Sequence, residues 1–94
     1  MADDITTAHN ASENRYEIHV GDELAGVIDY RDRDGVLDMY HTGVEKQFGG
    51  RGLGTRLVEF ALTDARDSGH TVIPTCPFIA SFIDEHPDFA DVRA

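Results

Sequence analysis

The chain has 94 residues, one cysteine and a formal net charge of −10. This length allows one domain with a thin core, and a lone cysteine excludes an internal disulfide framework or a multi-cysteine zinc site. So acidic a chain repels phosphate backbones, which excludes nucleic acid as an expected partner.

The first residues, MADDITTAHNASENR, lack the basic and apolar regions of a secretory signal. Their small polar character predicts a flexible tail over 1–13, with 14–94 as the single folded domain. No apolar run is long enough to span a bilayer, so no membrane partner is expected. The expectation is a cytoplasmic monomer. Its acidity reads either as a solvated surface or as an attraction for a cationic amine.

Tyr16, Ile18 and Val20 alternate with Arg15, Glu17 and His19, the pattern of a half-buried strand. Gly21-Asp22 turns the chain, and Glu23 to Tyr30 forms a second strand. The polar loop Arg31–Gly35 reverses it again into a third strand, Val36 to Val44. Leu53, Leu57, Phe60, Ala61 and Ala65 then recur at helical spacing, with Gly69 at the C-cap. His70 to Thr75 is a short fourth strand, parallel to the third through a right-handed crossover. Pro77 suits the first turn of a second helix, which Pro87 ends by His86. The fold class is therefore α/β (α+β), in the order βββ-α-β-α, with an antiparallel meander and strand four parallel to strand three.

Between the third strand and the first helix stands Gly49-Gly50-Arg51-Gly52-Leu53-Gly54. Glycines admit close backbone approach, and the first N–H groups of a helix attract anions. Such a turn can cradle a pyrophosphate, with Arg51 adding charge. Thr55-Arg56 after Gly54 does not supply the Lys-Ser/Thr pair of a P-loop. Thr55 also stands where a dinucleotide fingerprint requires its third glycine. A glycine turn without a ligand is the alternative.

The stretch Gln47 to Gly54 resembles the acyl-CoA pyrophosphate loop of the GNAT superfamily of N-acetyltransferases, with Gly52 and Gly54 at its two small positions. Gly49 departs from the usual Arg/Gln, for which Gln47 or Arg51 could substitute. Together with His41-Thr42-Gly43-Val44, Ala65–Gly69, Val72–Phe78 and His86-Pro87, this stretch is similar to a small family of minimal GNAT-like, YjdJ-type proteins. The resemblance implies acetyl-CoA as cofactor and acetyl transfer to a primary amine on an unidentified small molecule or protein. A non-catalytic acyl-CoA-binding module is the other reading. It also implies that pantetheine enters between the third and fourth strands, beside Thr42 and Val44. The candidate cofactor contacts are those two residues, then Gln47 and Gly49 through Thr55. On the second helix they are Cys76, Phe78, Phe82 and His86, although Phe78 and Phe82 also read as core and His86 as a helix cap.

Two residues are catalytic candidates. Cys76 precedes Pro77 at a helix start, where a thiolate is favoured. It could accept acetyl, protonate the leaving thiolate, or be a buried helix cap. His41, on the same face as Leu37 and Met39 by simple alternation, could deprotonate an ammonium acceptor or be a rim histidine. No histidines stand at metal-ligand spacing with a third ligand, so no metal is expected.

Overall fold

The structure is a computed structural model and describes residues 4–94. Strands β1 (Ile5–Asn10), β2 (Arg15–Val20), β3 (Glu23–Arg33) and β4 (Val36–Val44) precede helix α1 (Leu53–Asp67). Strand β5 (Thr71–Ile73), helix α2 (Pro77–Glu85) and a 3-10 segment, Pro87–Val92, follow. The five strands form one sheet in sequence order, antiparallel from β1 to β4, with β5 parallel to β4.

The alternation in β2 works as a strand requires: Tyr16, Ile18 and Val20 are buried. With Ile28, Leu37 and Met39 they form the sheet side of the core. Leu57, Val58, Ala61 and Leu62 of α1 and Ile79 and Ile83 of α2 form the helical side. Phe89 and Val92, in the 3-10 segment, add to this core. No helix among the described residues is long and apolar enough to cross a membrane.

The expected tail over 1–13 is corrected. Ile5–Asn10 pairs along its whole length with β2, so four antiparallel strands precede α1. Ala11–Glu13 is a 3-10 turn, capped where the Asn10 side chain accepts from the Glu13 N–H. Residues 1–3, which the tail reading also covered, lie outside the described residues.

Specific anchors hold this polar strand. The His9 ring stacks on Tyr16, with centroids 4.2 Å apart. Its Nε2 lies 2.6 Å from the Tyr30 hydroxyl and its Nδ1 lies 3.2 Å from Asp64 Oδ2 on α1. The Asn10 amide donates to Glu17 at 3.0 Å. The fully buried Tyr16 donates its hydroxyl to the same Asp64 oxygen at 2.9 Å. Burial, then Asp64, holds the Tyr16 phenol well above its ordinary pKa.

Asp64 therefore joins β1, β2 and α1. Asp64→Ala leaves a buried hydroxyl without its acceptor, and should destabilise the protein by about 1–3 kcal/mol. The expected result is a lower urea midpoint at unchanged slope. Asp67→Ala, on an exposed site of the same helix, should change stability by no more than about 0.5 kcal/mol.

Candidate cofactor cleft and active site

The site begins where β4 parts from β5. Their pairing covers only Val36–Asp38 against Thr71–Ile73. The Thr75 hydroxyl then donates to Asp38, and the Cys76 N–H donates to the Met39 carbonyl at 2.9 Å. From Tyr40 to Val44 no strand among the described residues pairs with this edge of β4.

A β-bulge sits at the same place. Asp29 pairs with His41 while Tyr30 pairs with Met39, which leaves Tyr40 as an extra residue on β4. One inserted residue reverses the alternation beyond it. Thr42 and Val44 therefore share the helix-facing side with Leu37 and Met39. The placement of His41 on that side is corrected: it is exposed and projects with Gly43 from the opposite face. A Cβ built on Gly43 would lie 3.0 Å from His41 Nε2.

The glycine turn lies at the end of this open edge. Gly50 and Gly52 have φ of 79° and 73°, left-handed values that favour glycine. Gly52 caps α1 without a side-chain hydrogen bond. Among the described residues, the N–H groups of Leu53, Gly54 and Thr55 have no backbone acceptor. A Cβ on Gly50 or Gly52 would meet nothing within 4 Å, and Leu53, Gly54 and Thr55 line the open space beside them. The result is a cleft of about 390 Å³.

Thr42 and Val44 form its strand wall, and Gly49, Gly50, Gly52, Leu53, Gly54 and Thr55 its turn. Phe78 closes the α2 side; it is 45% exposed, unlike the core residue that helical spacing suggested. Phe48 was not among the sequence candidates, yet it lies in the lining. Its signal was an aromatic residue directly before the glycines. Thr55 and Phe78 also border an adjoining hollow lined by Ser81, Phe82, Glu85 and His86.

Other candidates stand apart from the cleft lining. The Gln47 amide donates to Glu23 at 3.0 Å, which ties it to β3. Arg51 lies over the Phe48 ring, 5.6 Å from its centroid. Phe82 is buried between His86, stacked at 4.0 Å, and Phe89. His86 caps α2, with Nδ1 2.8 Å from the Phe82 carbonyl. Among the described residues no three His, Cys, Asp or Glu side chains are grouped to hold a metal ion.

Cys76 is buried at the N-cap of α2, behind the cleft wall at Thr42. Burial pushes its thiol pKa up. The Thr42 hydroxyl and the N–H groups of Phe78, Ile79 and Thr42 outweigh that, so the thiol lies below its ordinary pKa. Thr42 Oγ1 has no full hydrogen bond of its own. Its proximity to the sulfur instead favours the ionised form, which is a better acceptor than the thiol.

An open-edged sheet, a glycine-capped helix and a thiol thus lie together where two strands part. The sequence profile of the GCN5-related N-acetyl-transferases matches residues 15–92, and the chain belongs to that family. The structure is also similar to the solution structure of a GCN5-like candidate N-acetyltransferase from Staphylococcus aureus. The two chains are 26% identical with a TM-score of 0.70, and the match covers 97% of this chain and 87% of the other. No curated protein sequence matches the chain.

Two outcomes follow from this geometry. A Cβ on Gly54 would face the Phe78 ring at 3.4 Å and Val44 at 3.7 Å, across the narrow part of the cleft. Gly54→Ala should keep the fold and raise stability by up to about 1 kcal/mol. Gly54→Leu should fill the cleft and weaken acetyl-CoA binding at least tenfold in calorimetry, with its melting temperature retained. Gly52 is a poor test site, because a branched side chain strains a backbone at φ 73°.

The second outcome concerns Cys76. Because its pKa is lowered, the thiolate appears at lower pH than in a free thiol, whose pKa is about 8.5. The pH profile of iodoacetamide alkylation should therefore rise at a lower pH than that of a simple thiol. Thr42→Val should shift that profile upward by removing the hydroxyl.

Proposed function

We propose that this protein binds acetyl-CoA in the glycine-turn cleft and transfers the acetyl group to a primary amine. The observation that carries this reading is the cradle itself. Among the described residues, three helix N–H groups without a backbone acceptor belong to residues that line the open space beside Gly50 and Gly52, next to a strand edge without a neighbour. The residues fit the cofactor's chemistry. The amides of Leu53, Gly54 and Thr55 would receive the pyrophosphate. The free edge of β4 from Tyr40 to Val44 offers backbone groups to the amides of the pantetheine arm. Phe48 and Phe78 supply apolar walls.

Bound acetyl-CoA supplies a thioester whose C–S bond breaks as the acceptor nitrogen forms a new C–N bond. Thr42 and Cys76 stand together on the helix-facing side of β4, and His41 stands on the other side of the same strand. His41 takes the ammonium proton, which leaves a neutral nitrogen able to attack. Cys76 Sγ gives a proton to the leaving thiolate and regains one from the product nitrogen. Net transfer therefore releases one proton, through His41. Alternatively, the Cys76 thiolate attacks the thioester carbonyl and CoA leaves as its thiolate. The neutral amine then attacks the acetyl-Cys76 carbonyl, and the C–S bond to Cys76 breaks as the C–N bond forms. The proton lost by nitrogen goes to the departed CoA thiolate.

Mass spectrometry after incubation with acetyl-CoA separates these routes. An acetyl adduct on Cys76 that disappears on adding an amine establishes the two-step route. Retained cofactor, release of free CoA only with amine, and no adduct establish direct transfer. In the direct route Cys76→Ala should slow turnover by about 10²–10⁴-fold if the thiol is the general acid. Cofactor retained with no CoA release under any amine indicates a binding module, and no retained cofactor refutes the cleft assignment.

A further inference from the structure

A second hollow, of about 410 Å³, lies on the sheet face that His41 occupies. It is lined by Leu24, Gly26, Val27, His41, Gly43, Val44 and Glu45. Val44 borders both this hollow and the glycine-turn cleft, so one strand segment separates them.

The lining is ordered by the β3–β4 register. Asp29 stands across from His41, and Val27 stands across from Gly43. Glu45 follows the end of β4, and its N–H is fixed to the Ala25 carbonyl at 2.8 Å. The hollow thus has a titratable group at one end, a carboxylate at the other, and Val27 with the exposed Leu24 as apolar floor. Its lining contains no Lys or Arg. The His41 ring leans along β4 over Gly43, toward the Glu45 end of the hollow.

Such a surface suits a ligand with two cationic nitrogens joined by an alkyl stem. One ammonium meets the Glu45 carboxylate, methylenes cover Val27 and Leu24, and the other nitrogen lies at His41. A zwitterionic or anionic acceptor would bring negative charge against Glu45 and Asp29. Gly43 leaves room for the His41 ring, since a Cβ there would lie 3.0 Å from Nε2.

We infer that this hollow is the acceptor site and that the acceptor is a linear alkyl diamine or polyamine, held at Glu45 and presented for reaction at His41. This rests on the acetyl-transfer reading for its chemistry, but binding to the hollow is measurable without cofactor. The amine nitrogen at His41 loses its proton to the imidazole and attacks the thioester carbonyl, so that the C–S bond breaks and CoA leaves as the amide C–N bond forms, while the distal ammonium stays protonated at Glu45.

The test uses diaminooctane and octylamine, which share a stem and differ in the second amine. In calorimetry on the full chain without cofactor, diaminooctane should bind at least tenfold more tightly. Amide signals of Val27, Gly43 and Glu45 should move in its NMR titration. Glu45→Gln, at an exposed position, should reduce the preference to less than twofold. Gly43→Ala, whose new methyl would displace the His41 ring, should lower kcat for diaminooctane. Equal affinity for both amines, or a preference that survives in Glu45→Gln, would overturn the inference. Acetyl-CoA is titrated separately: if it binds and the diamine preference is absent, only the acceptor assignment fails. If the preference is present and acetyl-CoA does not bind, the transfer reading fails while the cationic site stands.

Discussion

β4 carries two irregularities within a few residues, and the site is built on them. Its parallel neighbour ends at Ile73, so its hydrogen-bonding edge is open from Tyr40. The extra residue at Tyr40 then reverses which side chains face which way. Without the first irregularity the edge would be paired and closed to a ligand. Without the second, Thr42 and Val44 would point away from the glycine turn and His41 toward the core. A regular strand offers one pattern of sidedness along its length, and this one offers two.

The electrostatics of the cleft come from backbone rather than from side chains. A chain with net charge −10 is a poor general attractor of phosphate. Three helix N–H groups provide a local positive end whatever the surface charge, because the helix dipole acts within the first turn. The same arrangement recurs at the start of α2, where backbone N–H groups and Thr42 favour the ionised form of Cys76. Two helix N-termini therefore flank β4's open edge, one at the glycine turn and one at the thiol.

The other end of the sheet is held by a different device. Asp64 accepts from Tyr16 and faces His9, which ties the first strand to the helix that carries the glycine turn. Anchoring α1 in this way fixes the direction of its N-terminus, on which the cleft depends. A small domain with a thin apolar core gains order from such polar links when each member is partnered.

Much of the frame was legible from residues that carry local instructions. The alternation from Arg15 to Val20, the helical spacing after Gly52 and the proline at the start of α2 each specify structure within a few residues, and these elements begin where the pattern places them. The glycine turn was legible too, since its backbone shape follows from glycine itself and from the helix behind it. Other features were decided only in three dimensions. Ile5–Asn10 became a strand because β2 offered an edge and Tyr16, Tyr30 and Asp64 offered partners from distant parts of the chain. The bulge at Tyr40 leaves no mark in the alternation of β4, because it is a mismatch between two strands. Gln47 turned to Glu23 and Phe78 turned out of the core for the same reason. The sequence by itself determined the elements from Arg15 onward and the glycine turn; the tertiary structure decided the first strand and which side chains meet, because a contact depends on register and partners that no single segment encodes.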